Sequence, residues 1–271
     1  MKRRDLRNRR VVITGAGSGI GRALAFRFAR AGCRLALLDK DTAALEDVVN
    51  ELQTYNVEVL QQPGDVTHFE DCRRLVEGAI EAFGGVDVLI NNAGITHRSA
   101  FIDTTPEVFH RVMAVNYFGA MHCTKAALPS LIENKGVIIV LSSVAGFAPL
   151  IGRTGYSAAK HALHGLFESL RTELHGSGVH IMLVCPAFIA TNIEKNALGE
   201  DGKPTNHPQS RIGKSLSPEY VADSIFKAAE KEKRLLLLST VGKLSYYVMK
   251  FSPLLYEKIM QRSLQSELDR D

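Results

Sequence analysis

A chain of 271 residues that is 45% hydrophobic and 23% charged can bury a large α/β core without disulfides, which excludes a disordered or fibrous protein. The formal charge of +4 is small, and the cluster Lys2, Arg3, Arg4, Arg7, Arg9 and Arg10 reads as a solvated basic arm; with no aromatic-basic module beside it, nucleic acid is not expected as a partner. Cys33, Cys72, Cys123 and Cys185 stand far apart with no Cys-x-x-Cys pair, so they read as packed, reduced thiols, and no ligand spacing calls for a metal.

Residues 11–14 read as a buried strand. A glycine turn follows, then a helix near 20–31 on which Leu24, Phe28 and Ala31 recur at helical spacing. A second strand at 34–38 ends on Asp39, a helix covers about 42–53, and a third strand at 57–61 is closed by Pro63-Gly64-Asp65-Val66. A helix at 69–83 precedes a fourth strand at 86–90, which runs into Asn91-Asn92-Ala93-Gly94. Two helices near 106–118 and 119–131 lead to a fifth strand at 137–141, followed by a helix at 156–174 and a strand at 179–185. This alternation predicts an α/β fold, a doubly wound parallel sheet with helices on both faces, whose functional residues gather at the carboxyl ends of the strands.

From 192 to 211 the chain is polar and poorly periodic, and with the residues up to 216 it reads as a substrate lid. Ser217-Pro218-Glu219 looks like an N-cap with proline in the first turn, opening a helix to about 231 before a last strand at 235–238. No linker divides the chain, so a single catalytic domain at 8–240 with an amphipathic helical extension at 241–271 is expected. In that extension Leu244, Tyr247, Val248, Phe251, Leu254, Leu255 and Ile259 recur at spacings of three and four, and Pro253 should bend or divide the segment. The start has no signal-like apolar stretch and no run reaches membrane-span length, so a cytoplasmic protein is expected; the tail is compatible with peripheral contact at a membrane.

Chemistry concentrates at three places. In Thr14-Gly15-Ala16-Gly17-Ser18-Gly19-Ile20-Gly21, glycines permit a tight turn and let backbone approach a pyrophosphate, whose charge the free amides of the following helix would meet. Asp39 ends the second strand 18 residues after Gly21, where a carboxylate accepts ribose hydroxyls and repels a 2'-phosphate, favouring NAD over NADP. Lys40 reads as a solvated turn residue, or else as the group that would neutralise such a phosphate. Asp65 is placed to accept the adenine amine and the Val66 backbone to face the base, while Asn92, Ala93 and Gly94 are small enough to bring backbone to a cofactor ribose.

Tyr156 and Lys160 are four apart on a helix and share a face. An ammonium near a phenol favours phenolate, and bringing a tyrosine from roughly 10 to roughly 7 takes about 4 kcal/mol. Tyr156 then serves as proton acceptor from an alcohol or donor to a carbonyl. Ser143, just beyond the fifth strand, is placed to hold the substrate oxygen. Ser142 is its alternative by position alone.

Together these features resemble the classical short-chain dehydrogenase/reductase family over roughly 8–240, on the glycine turn, on Asn91-Asn92-Ala93-Gly94 and on Tyr156-Ser157-Ala158-Ala159-Lys160. The resemblance implies a Rossmann-like fold. It makes Ser143, 13 residues before Tyr156, the catalytic serine, and gives Asn116 a structural role in which its backbone carbonyl helps hold a water linking Lys160 to solvent. It also implies that Lys160 bonds the nicotinamide ribose, that Thr191 lies near the carboxamide, and that homodimers or homotetramers form through the helices near 106–131 and 156–174. Where the family commonly has Pro-Gly after the sixth strand, this chain has Pro186-Ala187, which bears on pocket shape.

The expected activity is hydride transfer between NAD and a secondary alcohol or its ketone. An NADP-dependent carbonyl reductase is the nearest alternative, and a cofactor-binding regulatory scaffold is the non-enzymatic one. Phe147, Ala148, Leu150 and Ile151, with Phe188 and Ile189, are placed to line an apolar mouth for a lipid-, steroid- or retinoid-like substrate, or else to pack against the lid or another subunit.

Overall fold

A computed structural model describes residues 3–189, 193, 196–205 and 215–264. Seven strands form one parallel sheet: β1 (Arg10–Thr14), β2 (Arg34–Asp39), β3 (Val59–Pro63), β4 (Val88–Asn91), β5 (Val137–Leu141), β6 (His180–Cys185) and β7 (Leu235–Leu237), in the order β3-β2-β1-β4-β5-β6-β7. Side chains alternate across each strand, so Val11, Ile13, Leu35 and Leu37 enter one buried layer while Val12, Ala36 and Leu38 enter the other. Both layers need helical cover because the strands are apolar on both faces. Helices α1 (Gly19–Ala29), α2 (Thr42–Leu52) and α7 (Pro218–Glu230) cover the first layer through Leu24, Phe28, Leu45 and Ile225. Helices α3 (Phe69–Phe83), α5 (Gly119–Glu133) and α6 (Thr154–Glu173) cover the second through Leu75, Ala127, Leu163 and Phe167.

The strand order reverses between β1 and β4, which opens a crevice at their carboxyl ends. Elements lie close to their expected places, with instructive shifts. The third strand begins two residues late because Gln53–Tyr55 form a 3-10 turn and Asn56 takes a left-handed conformation at φ 51°. Pro63 therefore belongs to the edge strand, where its missing amide costs no ladder bond. The pair expected at 106–131 is one helical run: α4 (Pro106–Met113) passes through a π turn at Ala114–Phe118 into α5. Pro253 does divide the tail, giving α8 (Thr240–Phe251), capped by Ser239, and α9 (Pro253–Leu264). No helix among the described residues is long and apolar enough to cross a membrane.

The arginine-rich start is only in part the solvated arm expected of it, since Arg3, Arg7 and Arg9 are exposed while Arg4 and Arg10 are drawn into the fold. Arg10 binds Asp87 at 2.7 Å, Arg4 binds Glu232 and the carbonyl of Lys135, and Arg7 folds onto Asp5. Asp87 also accepts the backbone N–H of Arg10, so this one carboxylate ties the entry of β1 to the entry of β4, and the arginine beside it holds its pKa below the usual carboxylate value despite burial. Asp87→Ala takes the carboxylate from the largely buried Arg10 guanidinium, leaving it the Gly84 carbonyl and Asn134, and is expected to cost about 3 kcal/mol in urea unfolding. An unchanged midpoint would remove Asp87 from the fold's supports.

Candidate active site

The cofactor crevice begins at Thr14. Gly15 turns the chain with φ 65°, and a Cβ there would sit 2.8 Å from Ala93 Cα; at Gly21 it would sit 1.9 Å from the Gly15 carbonyl oxygen. Helix α1 thus lies directly on the turn, and only glycine permits it. Ser18 occupies the N-cap position but its hydroxyl caps nothing, and the first turn, with Gly19, Ile20 and Gly21, carries no carboxylate. Those amides fit an anionic pyrophosphate. Across from them Asp39 accepts the N–H of Gly17 at 2.8 Å and of Asp41 at 3.0 Å, and Lys40 is exposed.

The other expected cofactor positions divide. Asp65 accepts the N–H of Thr67 at 2.8 Å, and the carbonyl of Val66 meets a ring nitrogen of His122 at 3.0 Å, so both take part in the turn that ends β3. Asn92 spends its carboxamide on the carbonyls of Thr14 and Gly15, at 3.0 and 2.9 Å, while the N–H groups of Asn92 and Ala93 donate to Thr14 Oγ1. Gly94 leaves room for its neighbours, since a Cβ would lie 2.7 Å from Asn116 Oδ1 and 3.5 Å from Lys160 Nζ. Thr191 and, in the segment expected to form a lid, residues 192, 194, 195 and 206–214 lie outside the described residues.

The reactive groups meet where β5 ends. Ser143, not Ser142, faces Tyr156, its hydroxyl lowering the phenol's pKa, and its Oγ accepts the N–H of Ala145 at 3.1 Å. Ser142 is buried and turned away, 3.0 Å from His164 Nε2. Lys160 Nζ donates to the Leu141 carbonyl at 2.8 Å and stands 5.6 Å from the centroid of the Tyr156 ring. Asn116, in the π turn, donates to the carbonyls of Ile95 and Val112 and leaves Oδ1 buried with no protein partner. An orphaned acceptor beside a buried ammonium suits a bound water or cofactor hydroxyl.

Electrostatics here run against the simplest expectation. Burial raises the Tyr156 phenol above its ordinary pKa, more than the Ser143 hydrogen bond and Arg153 lower it. Burial also pulls the Lys160 ammonium down to about 8. The protein by itself therefore holds Tyr156 as a neutral phenol, a proton donor.

Sequence inspection overlooked His97. It is fully buried, and its Nε2 accepts the N–H of Gly155 at 2.9 Å, capping α6 one residue before Tyr156. The helix accordingly starts two residues earlier than its apolar stripe indicates. A lone histidine in an irregular loop carries no periodic signal, so only the fold reveals it. The same loop anchors part of the expected lid, through Arg98 N–H to the Leu198 carbonyl at 2.8 Å and Leu198 N–H to the Thr96 carbonyl at 2.9 Å.

Of the apolar residues expected at the substrate mouth, Phe147, Leu150 and Ile151 pack with Ala187 against Tyr256 and Met260 of the tail. Ile189 instead enters the main core. An anion-ready helix start together with a half-buried Ser–Tyr pair beside a buried lysine suits a nicotinamide-dependent oxidoreductase. Residues 9–201 match the family described as short chain dehydrogenase. "Dehydrogenase/reductase SDR family member 7B" of Mus musculus is 37% identical over 268 residues, covering 97% of this chain and 83% of the relative. A short chain dehydrogenase/reductase of Burkholderia phymatum, in complex with NAD, superposes with TM-score 0.84 at 28% identity over 93% of this chain and 96% of that one. An alcohol dehydrogenase from the archaeon Thermococcus sibiricus, complexed with 5-hydroxy-NADP, gives TM-score 0.72 at 29% identity over 83% and 93%. The chain belongs to the short-chain dehydrogenase family, whose activity is NAD(P)-dependent oxidoreduction.

The His97 cap carries a pH signature. Burial and Arg153 lower the His97 pKa from 6.5 to about 4, because the proton would land on the nitrogen that accepts from Gly155. As pH falls below 6.5 the unfolded chain binds that proton first, so the stability His97 contributes is complete above 6.5 and is lost on the way down to about 4. His97→Ala should cost about 1–2 kcal/mol at neutral pH. Between pH 7 and 4.5 the gap between parent and variant should narrow in urea midpoints; a constant gap would refute the neutral cap.

Proposed function

We propose that the protein is an NAD-dependent dehydrogenase/reductase that interconverts a lipophilic secondary alcohol and its ketone, with Ser143, Tyr156, Lys160 and Asn116 as its catalytic set. The observation that carries this is the convergence of the Ser143 hydroxyl, the Tyr156 phenol and the buried Lys160 ammonium, which stands 5.6 Å from the Tyr156 ring, at the mouth of a crevice whose glycine turn suits a dinucleotide. Asp39 supports NAD, since a carboxylate pairs with ribose hydroxyls and repels a phosphate dianion. The relative in complex with NAD agrees, although the archaeal relative carries an NADP derivative.

In the reducing direction Tyr156 Oη gives its proton to the carbonyl oxygen while Ser143 Oγ donates a hydrogen bond to the same atom. Bound NADH supplies the hydride, and NAD accepts it in reverse. Lys160 faces the phenolate left behind and, through a water held near Asn116 and Gly94, connects it to solvent. A subunit interface built from the α4–α5 run and α6 follows from family resemblance. The apolar wall of Phe147, Leu150 and Ile151, closed by the tail, supports a lipophilic substrate.

The NAD assignment is tested by titrating both reduced cofactors. NADH should bind at least about 10-fold more tightly than NADPH, and Asp39→Ala should shrink the difference. Equal affinities in the parent would reject Asp39 as the discriminator. Turnover over secondary alcohols of increasing chain length tests the rest: kcat/KM should rise with length, and Tyr156→Phe should lose about 100-fold or more at every length with cofactor affinity nearly intact. Near-parental turnover in that variant contradicts the proton-transfer role, and a flat length series contradicts the lipophilic substrate.

A further inference from the structure

The tail has two faces with opposite fates. One packs Tyr256 and Met260 over Phe147, Leu150 and Ile151, closing the apolar wall behind Ser143. The other leaves Leu244, Tyr247, Phe251, Leu254, Leu255 and Ile259 exposed, at 65%, 57%, 78%, 72%, 49% and 42% of their surface. Leu244, Tyr247 and Phe251 follow one stripe of α8, and Phe251, Leu254 and Leu255 crowd the corner where Pro253 starts α9. Scattered apolar residues need no explanation, but six large ones within sixteen positions mark a contact surface.

Charge selects the partner. Tyr247 also lines an open cleft of about 530 Å³ between α7, β7 and α8, and the same cleft holds Lys227, Lys231, Lys233 and Lys243. Lys227 is paired with Asp223, whereas Lys231, Lys233 and Lys243 form no ion pair among the described residues. On α8 and α9 Lys243, Lys250, Lys258 and Arg262 are answered by a single carboxylate, Glu257. A two-fold contact through this face would bring the same uncompensated lysines towards one another, and lysines beside the edge strand β7 oppose strand pairing between copies. An anionic surface that also accepts apolar side chains satisfies both features.

We propose that the exposed face of α8–α9, with the lysine cleft beside β7, is a docking surface for an anionic phospholipid bilayer. Aromatic and aliphatic side chains enter the interface at the Pro253 corner while the lysines meet phosphate headgroups. The wall behind Ser143 then lies directly under the docked helices. This delivery role rests on the lipophilic-substrate reading above, whereas the docking itself does not.

Co-sedimentation of the full chain with vesicles tests it. Vesicles of phosphatidylcholine containing about 30% phosphatidylglycerol should bind the protein about 10-fold or more better than phosphatidylcholine alone, and salt should weaken the binding. The triple variant Phe251→Ser, Leu254→Ser, Leu255→Ser should abolish sedimentation, and Lys231→Gln, Lys233→Gln, Lys243→Gln should weaken it about 10-fold. All six positions are surface positions, so folding and NAD-linked turnover of a short soluble alcohol should persist. Absence of parental binding to anionic vesicles at low salt overturns the proposal. So does equal binding to neutral vesicles, or binding indifferent to the lysines. Analytical ultracentrifugation supplies the rival outcome: a parental dimer that the apolar triple variant splits, with no vesicle binding, assigns the face to a second copy and overturns it. Loss of short-alcohol turnover in the parent would sink the enzymatic reading while leaving the vesicle result standing.

Discussion

The site depends on one seam, where the end of β1 is stitched to the end of β4. Thr14 Oγ1 takes two backbone N–H groups, from Asn92 and Ala93, and the Asn92 carboxamide answers by donating to the carbonyls of Thr14 and Gly15. These bonds satisfy backbone groups that the diverging strands would otherwise leave unpaired, and they hold the glycine turn at the reversal of strand order. With the turn fixed, the Gly17 amide reaches Asp39 and the first amides of α1 are left uncapped at the crevice. Bulk cannot be added at this seam, since a Cβ on Gly21 would penetrate the Gly15 carbonyl.

The second requirement is a charge held out of water. Lys160 is almost wholly buried, with its ammonium donating to the Leu141 carbonyl, and burial lowers its pKa to about 8. The Tyr156 phenol, also buried, is pushed the other way. Each group is thereby biased to its neutral form, and on the proposed mechanism a phenolate that takes an alcohol's proton needs a positive charge brought into the crevice. A positively charged oxidised nicotinamide is such a charge. The reduced cofactor is not, which suits a phenol that gives its proton away.

Much of this was legible in the amino-acid sequence. Strand and helix order emerged because fully buried parallel strands leave apolar runs such as Val137–Leu141, and covering helices leave stripes such as Leu163, Leu166 and Leu170. The choice between Ser142 and Ser143 was not legible from position alone, because it turns on which hydroxyl faces Tyr156 and which faces His164, both on α6. His97 was invisible for the same reason: its partner, the Gly155 amide, is 58 residues away and belongs to backbone. Asn92, expected to bring backbone to the cofactor, also commits its side chain to the turn, a role fixed by two carbonyl oxygens that no residue pattern announces. The arginine cluster misled because its acceptors, Asp87 and Glu232, are distant in sequence.

Hydride transfer at this seam is the central claim, and isotope transfer addresses it without any assumption about which substrate is physiological. NADH deuterated at both C4 positions is incubated with the protein and a medium-chain ketone, and the alcohol formed is examined by mass spectrometry and NMR. A single deuterium on the carbinol carbon is expected, none exchanged with solvent, with the labelled alcohol formed about 100-fold or more slowly when Tyr156→Phe replaces the parent at equal cofactor occupancy. Alcohol formed without deuterium at that carbon, or labelled alcohol formed equally well by the variant, would contradict it.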